Sequence, residues 1–244
     1  MPELALNCIQ SWKKYLPEYV IKEWNEDNFD LDLYPYVREA YDNRKFAFVT
    51  DVVRLYALYH EGGIYMDTDV EVLKSLDVFL SHHAFSGFED DINVPTGIMA
   101  SEKGGEWARE NLIYYDSRHF IKADGTLDLT TNVVTITNIM LKHGLRQNNT
   151  YQEIQGYFTI YPKDYFCPKS YINGKIYLTK NTYTIHHFAG SWITDSMRVK
   201  NYIYKLVTGT KLTKWIYNNT YKRMVKLLCC LLYTSPSPRD RQKS

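Results

Sequence analysis

Long apolar runs, an excess of one charge sign, clustered cysteines and internal repeats are all missing from this chain, and each absence narrows its class. No stretch reaches the about 18 consecutive apolar residues of a membrane span, and no basic-then-apolar leader opens the sequence, so neither a membrane helix nor a signal peptide is expected. The net charge of +1 gives no general pull toward nucleic acid, and no nucleic-acid partner is expected. Cys8, Cys167, Cys229 and Cys230 match neither a CxxC metal knuckle nor a secreted disulfide framework. A reducing compartment fits them, and the expected location is the cytoplasm or the inner face of the plasma membrane. A hydrophobic share of 45% with 23% charged residues excludes a disordered or fibrous chain.

What is present is helices alternating with short strands. Leu4, Ala5, Cys8, Ile9 and Trp12 predict an amphipathic helix over 3–15, followed by a strand in "YVIKEWN" (19–25) and a short helix from Pro35 to Asn43. Thr50 is the expected N-cap of a helix from Asp51 to about His60, with Gly62 and Gly63 as its stop. "IYM", "AFSGFE" and "TGIMAS" read as strands, 105–115 and 131–143 as helices, and "TIYPKDYFCP", "KIYL" and "TYTIHHF" as strands or extended segments. The class is α/β, with ligands expected at the C-terminal ends of strands.

The stretch "YALYHEGGIYMDTDVEVL" carries the chemistry. Asp67 and Asp69 emerge where an apolar strand ends, and two carboxylates at that spacing converge once the strand bends. Such oxygen donors suit Mg²⁺ or Mn²⁺ bridging to a diphosphate. A calcium loop starting at Asp67 would need Gly and Glu where Val72 and Val78 stand, so that reading fails. A haloacid-dehalogenase-like phosphotransferase with Asp67 as nucleophile also places Asp-X-Asp after a strand, and stays open as the alternative. Upstream, Asp51 and Arg54 share a helix face; this is either a surface pair worth about 0.2–0.5 kcal/mol or an arginine held ready for a diphosphate.

The block "AFVTDVVRLYALYHEGGIYMDTDVEVLKSLD" (47–77) resembles the DXD sugar-binding region of glycosyltransferase family 32, whose members include bacterial capsular polysaccharide transferases and fungal α-mannosyltransferases. Most of residues 2–90 look similar to that family. The resemblance implies a GT-A fold, a single mixed sheet flanked by helices, and metal-dependent hexosyl transfer with retention from a nucleotide sugar such as UDP- or GDP-hexose to a glycan or lipid-linked acceptor, as in bacterial surface polysaccharide synthesis. It implies catalytic roles for Asp51 and Arg54, substrate contacts for Gly62, Gly63, Tyr65 and Asp67, and metal ligation by Asp67 and Asp69. "TIHHFAGSW" (184–192) is similar to the family's later H-H-x-x-G-S-W signature. That similarity adds His187 as metal ligand, His186 as the alternative ligand, and Ser191 and Trp192 near the phosphates.

Two features depart from the family. Its members open with a strand of the type I-P-K-I-I-H-x-x-W, and this chain begins at "MPELALN" without one, so a first strand and part of the base pocket are expected to be missing, and an inactive sugar-nucleotide-binding remnant is a further alternative. "CLLYTSPSPRDRQKS" (230–244) resembles a sequencing-library adapter and is expected to be a non-native or disordered tail. The catalytic domain is expected over 1–195. Between them, 196–229 holds eight Lys or Arg and no acid, interleaved with aromatics. This basic helical segment fits an anionic membrane surface or equally a solvated helix face. No nucleophile is legible, and Glu89, Asp90 and Asp91 read as an acidic loop.

Overall fold

The computed structural model describes residues 1–170 and 173–190; Ser191, Trp192, the basic segment 196–229 and the tail 230–244 lie outside the described residues. Met1–Ala189 form one unit by their internal contacts. Helix α1 (Glu3–Tyr15) forms where the apolar pattern predicts and buries Ala5, Cys8 and Trp12. A 3-10 turn (Leu31–Leu33) leads into α2 (Pro35–Asp42), which starts with proline at its first position, where no N–H is needed.

Helix α3 (Phe46–Glu61) buries Val49, Val52, Leu55 and Leu58, and because a spacing of three falls short of a full turn the buried stripe winds around the helix, with Asp51 and Arg54 buried as well. It starts earlier than expected. Thr50 is not its N-cap, because its hydroxyl donates to Ala47 O at 2.9 Å and so already sits inside the first turns. The helix ends at Gly62 as predicted, with φ 74°, and a Cβ there would stand 2.7 Å from Lys103 N.

The strands are β1 (Gly63–Met66), β2 (Val70–Val72), β3 (Ala84–Gly87) and β4 (Ile98–Ser101), then, after α4 (Glu106–Ile113) and α5 (Asn132–Lys142), β5 (Gln152–Ile154) and β6 (Phe158–Tyr161). Helix α6 (Lys163–Phe166) and β7 (Thr184–His186) follow. The expected single sheet is corrected to two among the described residues: a mixed five-stranded sheet in the order β1-β4-β3-β6-β5, and a pair β2-β7. They separate because the chain turns between Asp67 and Val70, where Val70 N donates to Asp67 O at 2.9 Å, so β2 leaves the line of β1.

"YVIKEWN" is a second correction. It forms no strand, since no ladder partner stands beside it among the described residues, and Val20 is left 94% exposed. "TIYPKDYFCP" divides at Pro162, which ends β6 and starts α6, and "KIYL" makes only an isolated bridge, Lys169 to Ile176.

Strand β4 is buried on both faces. Met99 joins a core with Val52, Leu55 and Leu58 of α3, Trp107 of α4 and Ile136 of α5, while Ile98 and Ala100 point to the other side, among Trp12, Leu16, Phe85 and Phe166. Helices thus pack on both faces, a mixed α/β arrangement. Trp12 Nε1 donates to Val70 O at 2.6 Å and the Ser11 hydroxyl accepts from Val72 N at 2.8 Å, which pins α1 to the strand just after the aspartates. Cys8 and Cys167 are buried free thiols. Among the described residues no helix is long and apolar enough to cross a membrane.

Candidate metal and donor site

Asp67 follows β1 directly, and its N–H donates to Gly97 O at 2.8 Å, extending the β1-β4 ladder by one step. Asp69 precedes β2. The β2-β7 register sets Val70 opposite His186, which delivers that imidazole beside the aspartates from 116 positions downstream of Val70 (186 − 70). One donor atom each from Asp67, Asp69 and His186 lies within 4.8 Å of the others.

Each carboxylate is half committed to the protein. Asp67 Oδ1 accepts the Tyr65 hydroxyl at 2.6 Å and faces Arg54 Nη1 at 3.4 Å, leaving Oδ2 on the side of His186 Nε2 at 3.9 Å. Asp69 Oδ2 accepts the Ala189 N–H at 2.7 Å, and its Oδ1 stands 3.4 Å from the same Nε2. Two carboxylate oxygens and one imidazole nitrogen converge. That donor set fits Mn²⁺ better than the all-oxygen shell favoured by Mg²⁺.

The charges are coupled. Burial alone would disfavour protonated His186, but the Asp69 hydrogen bond and the charges of Asp67, Asp69 and Glu89 outweigh it and raise the pKa. Burial works against the Asp69 carboxylate as well, yet His186 and the Ala189 N–H hold its pKa below the usual carboxylate range. Glu89, just past β3, is pushed up to about 7 by burial, with the charge of His186 opposing and those of Asp90 and Asp67 adding. It lies in one acidic loop with Asp90 and Asp91, as expected. Within that loop Asp90 binds the N–H groups of Ile92 and Asn93 at 2.8 Å and Asp91 meets Lys163 Nζ at 2.6 Å, while Glu89 is buried beside the charges of His186 and Asp67.

Arg54 is 6% exposed and fully engaged. Its Nε donates to Thr50 O at 3.1 Å and Nη1 to Thr96 O at 2.7 Å, while Nη2 faces Asp51 Oδ1 at 3.2 Å and the guanidinium lies 4.6 Å from the centre of the Tyr65 ring. Burial pushes the Asp51 carboxyl up to about 6 against the opposing charge of Arg54, and Asn132 N donates to Asp51 Oδ2 at 3.3 Å. Asp51 and Arg54 are thus engaged with the protein's own groups, Asp51 with Asn132 and Arg54, and Arg54 also with Asp67.

Two further expectations shift. His187 is turned away from the aspartates, with Nε2 on Glu71 Oε2 at 2.9 Å, because successive strand residues face opposite sides and only one of the two histidines can reach the cluster. Gly62 and Gly63 sit at the far end of β1 from Asp67, so an extended strand separates them from the acidic turn. Both adopt positive φ, 74° and 102°, which glycine accommodates. The Thr96-Gly97 step, whose carbonyls hold Arg54 and Asp67, was not singled out. The only hint is a Pro-Thr-Gly run before a strand.

Residues 2–86 match the family model described as "Glycosyltransferase sugar-binding region containing DXD motif". The similarity is to glycosyltransferases. Inositol phosphoceramide mannosyltransferase 3 of Schizosaccharomyces pombe is 29% identical over 108 residues, covering 43% of this chain and 30% of that protein. Mannosyl phosphorylinositol ceramide synthase SUR1 of Saccharomyces cerevisiae is 28% identical over 112 residues, with 43% and 29% covered. Inositol phosphoceramide mannosyltransferase 2 of S. pombe is 32% identical over 105 residues, with 41% and 30% covered. The chain therefore spans about 30% of the length of these relatives. No solved structure matches it. These matches support the glycosyltransferase family, and the matched region contains Asp51, Arg54, Tyr65, Asp67 and Asp69 but not His186.

Proposed function

We propose that the chain is a metal-dependent, retaining glycosyltransferase of GT-A fold that moves a hexosyl unit from a UDP- or GDP-hexose to a glycan or lipid-linked acceptor. The observation that carries it is the half-committed pair of carboxylates. Asp67 and Asp69, inside the region similar to glycosyltransferases, each fix one oxygen on the protein and turn the other toward His186 Nε2, which lies outside that region. Mn²⁺ held there would offset the charge that builds on a departing diphosphate.

The protein's own groups preset the site. Tyr65 and Arg54 lock the Asp67 rotamer, and Asp51 keeps the guanidinium compensated in a buried place, so all three act as positioning residues. Ser191 and Trp192, next in the chain after Gly190, are proposed to meet the diphosphate. The names of the relatives favour mannose as the hexose and a lipid-borne hydroxyl as acceptor over a surface polysaccharide chain. The basic segment 196–229 is proposed to meet an anionic membrane; flotation with anionic liposomes at physiological salt tests it, and no binding refutes it.

Release of nucleoside diphosphate from a panel of nucleotide hexoses, with and without Mn²⁺, tests the activity. Turnover that needs Mn²⁺ and vanishes in Asp67→Ala and Asp69→Ala is the expected result. An aspartyl-phosphate trapped on Asp67 would instead support a phosphotransferase, and tight donor binding without turnover a non-catalytic binder.

A further inference from the structure

A metal-binding imidazole is ordinarily oriented by a hydrogen bond from its second nitrogen to a carboxylate or carbonyl. Among the described residues His186 makes no such bond. Its Nδ1 is buried and has no hydrogen-bond partner among the described residues. The ring is instead gripped by shape. A Cβ built on Gly97 would stand 2.6 Å from His186 Nδ1, 2.7 Å from Cε1 and 3.0 Å from Cγ, so the imidazole occupies the place where any other residue would put its side chain. On its other contacts the ring lies 4.2 Å, centre to centre, from Phe188. His186 is only 8% exposed, and it has little room to step aside.

The position of Gly97 in the ladder gives this contact its meaning. Met66 pairs with Ile98, so the next step sets Asp67 opposite Gly97, and antiparallel partners direct their side chains to the same face. The place left by the missing side chain is therefore on the face from which Asp67 projects. In the same short backbone run, Thr96 O accepts Arg54 Nη1 at 2.7 Å and Gly97 O accepts Asp67 N at 2.8 Å. Three site residues from α3, β1 and β7 are indexed to one peptide step.

We propose that Gly97 is a positioning residue of the metal site: its missing side chain is the seat of the His186 ring, and together with Thr96 it sets the imidazole, Asp67 and Arg54 in register. The inference rests on the metal reading above and concerns a residue outside the triad. It separates ligand identity from ligand placement, since Gly97 offers the ion no donor of its own.

Mn²⁺ titration of the full chain, followed by electron paramagnetic resonance without any sugar donor, tests it. Gly97→Ala is expected to weaken Mn²⁺ binding about 10-fold or more, the size typical of losing a group that orients a ligand. In the His186→Ala background the same substitution is expected to change affinity by less than about twofold, because the ring it would displace is gone. Circular dichroism and thermal melts of all variants follow the fold. If Gly97→Ala unfolds the chain while Gly97→Ala with His186→Ala folds, the clash is located between those two positions and the proposal stands. If both unfold, or if Gly97→Ala binds Mn²⁺ like the wild type or loses the same factor in either background, the proposal is overturned. A wild-type chain that binds no Mn²⁺ overturns the metal reading itself and this inference with it.

Discussion

Two helices of this protein carry an acid and an arginine three residues apart, and the pairs could hardly differ more. At the start of α4, Arg109 makes two short bonds to Glu106, at 2.6 and 2.7 Å, with both side chains about half exposed. In α3, Arg54 approaches Asp51 less closely, at 3.2 Å, and is 6% exposed. The better hydrogen-bonded pair is the less consequential one. Water screens Arg109, whose described side-chain bonds all end on one neighbour, whereas Arg54 also ties Thr50, Thr96 and Asp67 together across α3, the end of β1 and the approach to β4. Identical spacing on a helix thus carries no functional information until the third partner is known.

Removing the buried arginine is the strongest test of that contrast. Arg54→Ala leaves Asp51 and Asp67 facing each other without a compensating cation, and breaking a buried pair in this way costs about 3–5 kcal/mol. Urea denaturation should show that loss, with Mn²⁺ affinity falling in whatever fraction remains folded. Arg54→Lys should recover only part of it, since an ammonium cannot span Thr50, Thr96 and the two carboxylates at once. A variant as stable as the wild type would erase the distinction between the two helices.

The two adjacent histidines sharpen the comparison on a smaller scale. His186→Ala should lower Mn²⁺ affinity by about 100-fold, more than loss of an orienting neighbour, while His187→Ala should leave it within about twofold and instead loosen β7 through the lost Glu71 contact. Because proton and metal compete for the His186 nitrogen and its pKa is raised, Mn²⁺ binding should tighten as pH rises from 6 toward 8. Equal losses in the two variants would mean that the alternation along β7 does not select the ligand.

These cases show how far the sequence reaches. Helices α1, α2, α4 and α5 and strands β1, β3, β4 and β7 follow from local periodicity and turn residues. Strands β2 and β5, three residues each, were not legible, because they are held by partners that no local pattern reveals, and "YVIKEWN" failed for the converse reason, strand-like residues without a partner. Asp67 and Asp69 were visible as a triplet and through family resemblance. Whether His186 or His187 completes the cluster was not, since that depends on the β2-β7 register, and Gly97 matters only through a contact made by a residue far down the chain.

A weaker effect concerns protons. Glu89 sits near 7 in the folded chain against an ordinary value near 4.5, so between those pH values the folded state holds a proton that the unfolded state has released. Its contribution to stability is complete below about pH 4.5 and is lost as pH rises through 7, with a slope of at most about 1.4 kcal/mol per pH unit. Asp51, pushed up to about 6, acts in the same direction over a lower window. Glu89→Gln should flatten the fall in stability between pH 5 and 7, read as the difference between the two proteins' urea midpoints across that range. An unchanged profile would mean that burial does not raise the Glu89 carboxyl in the folded chain.

The smallest effect expected is none, and it carries the contrast as much as the largest. Arg109→Ala removes an ion pair with better hydrogen bonds than the Arg54 pair, but both partners stay in water and the guanidinium makes no described hydrogen bond beyond Glu106. Its thermal midpoint and Mn²⁺ affinity should match those of the wild type within measurement error, in 10 mM salt as in 500 mM. A midpoint that drops at low salt and recovers none of the difference at high salt would mean that screening does not govern the exposed pair. The division between a solvated charge pair and a buried positioning pair would then fail at its simpler end.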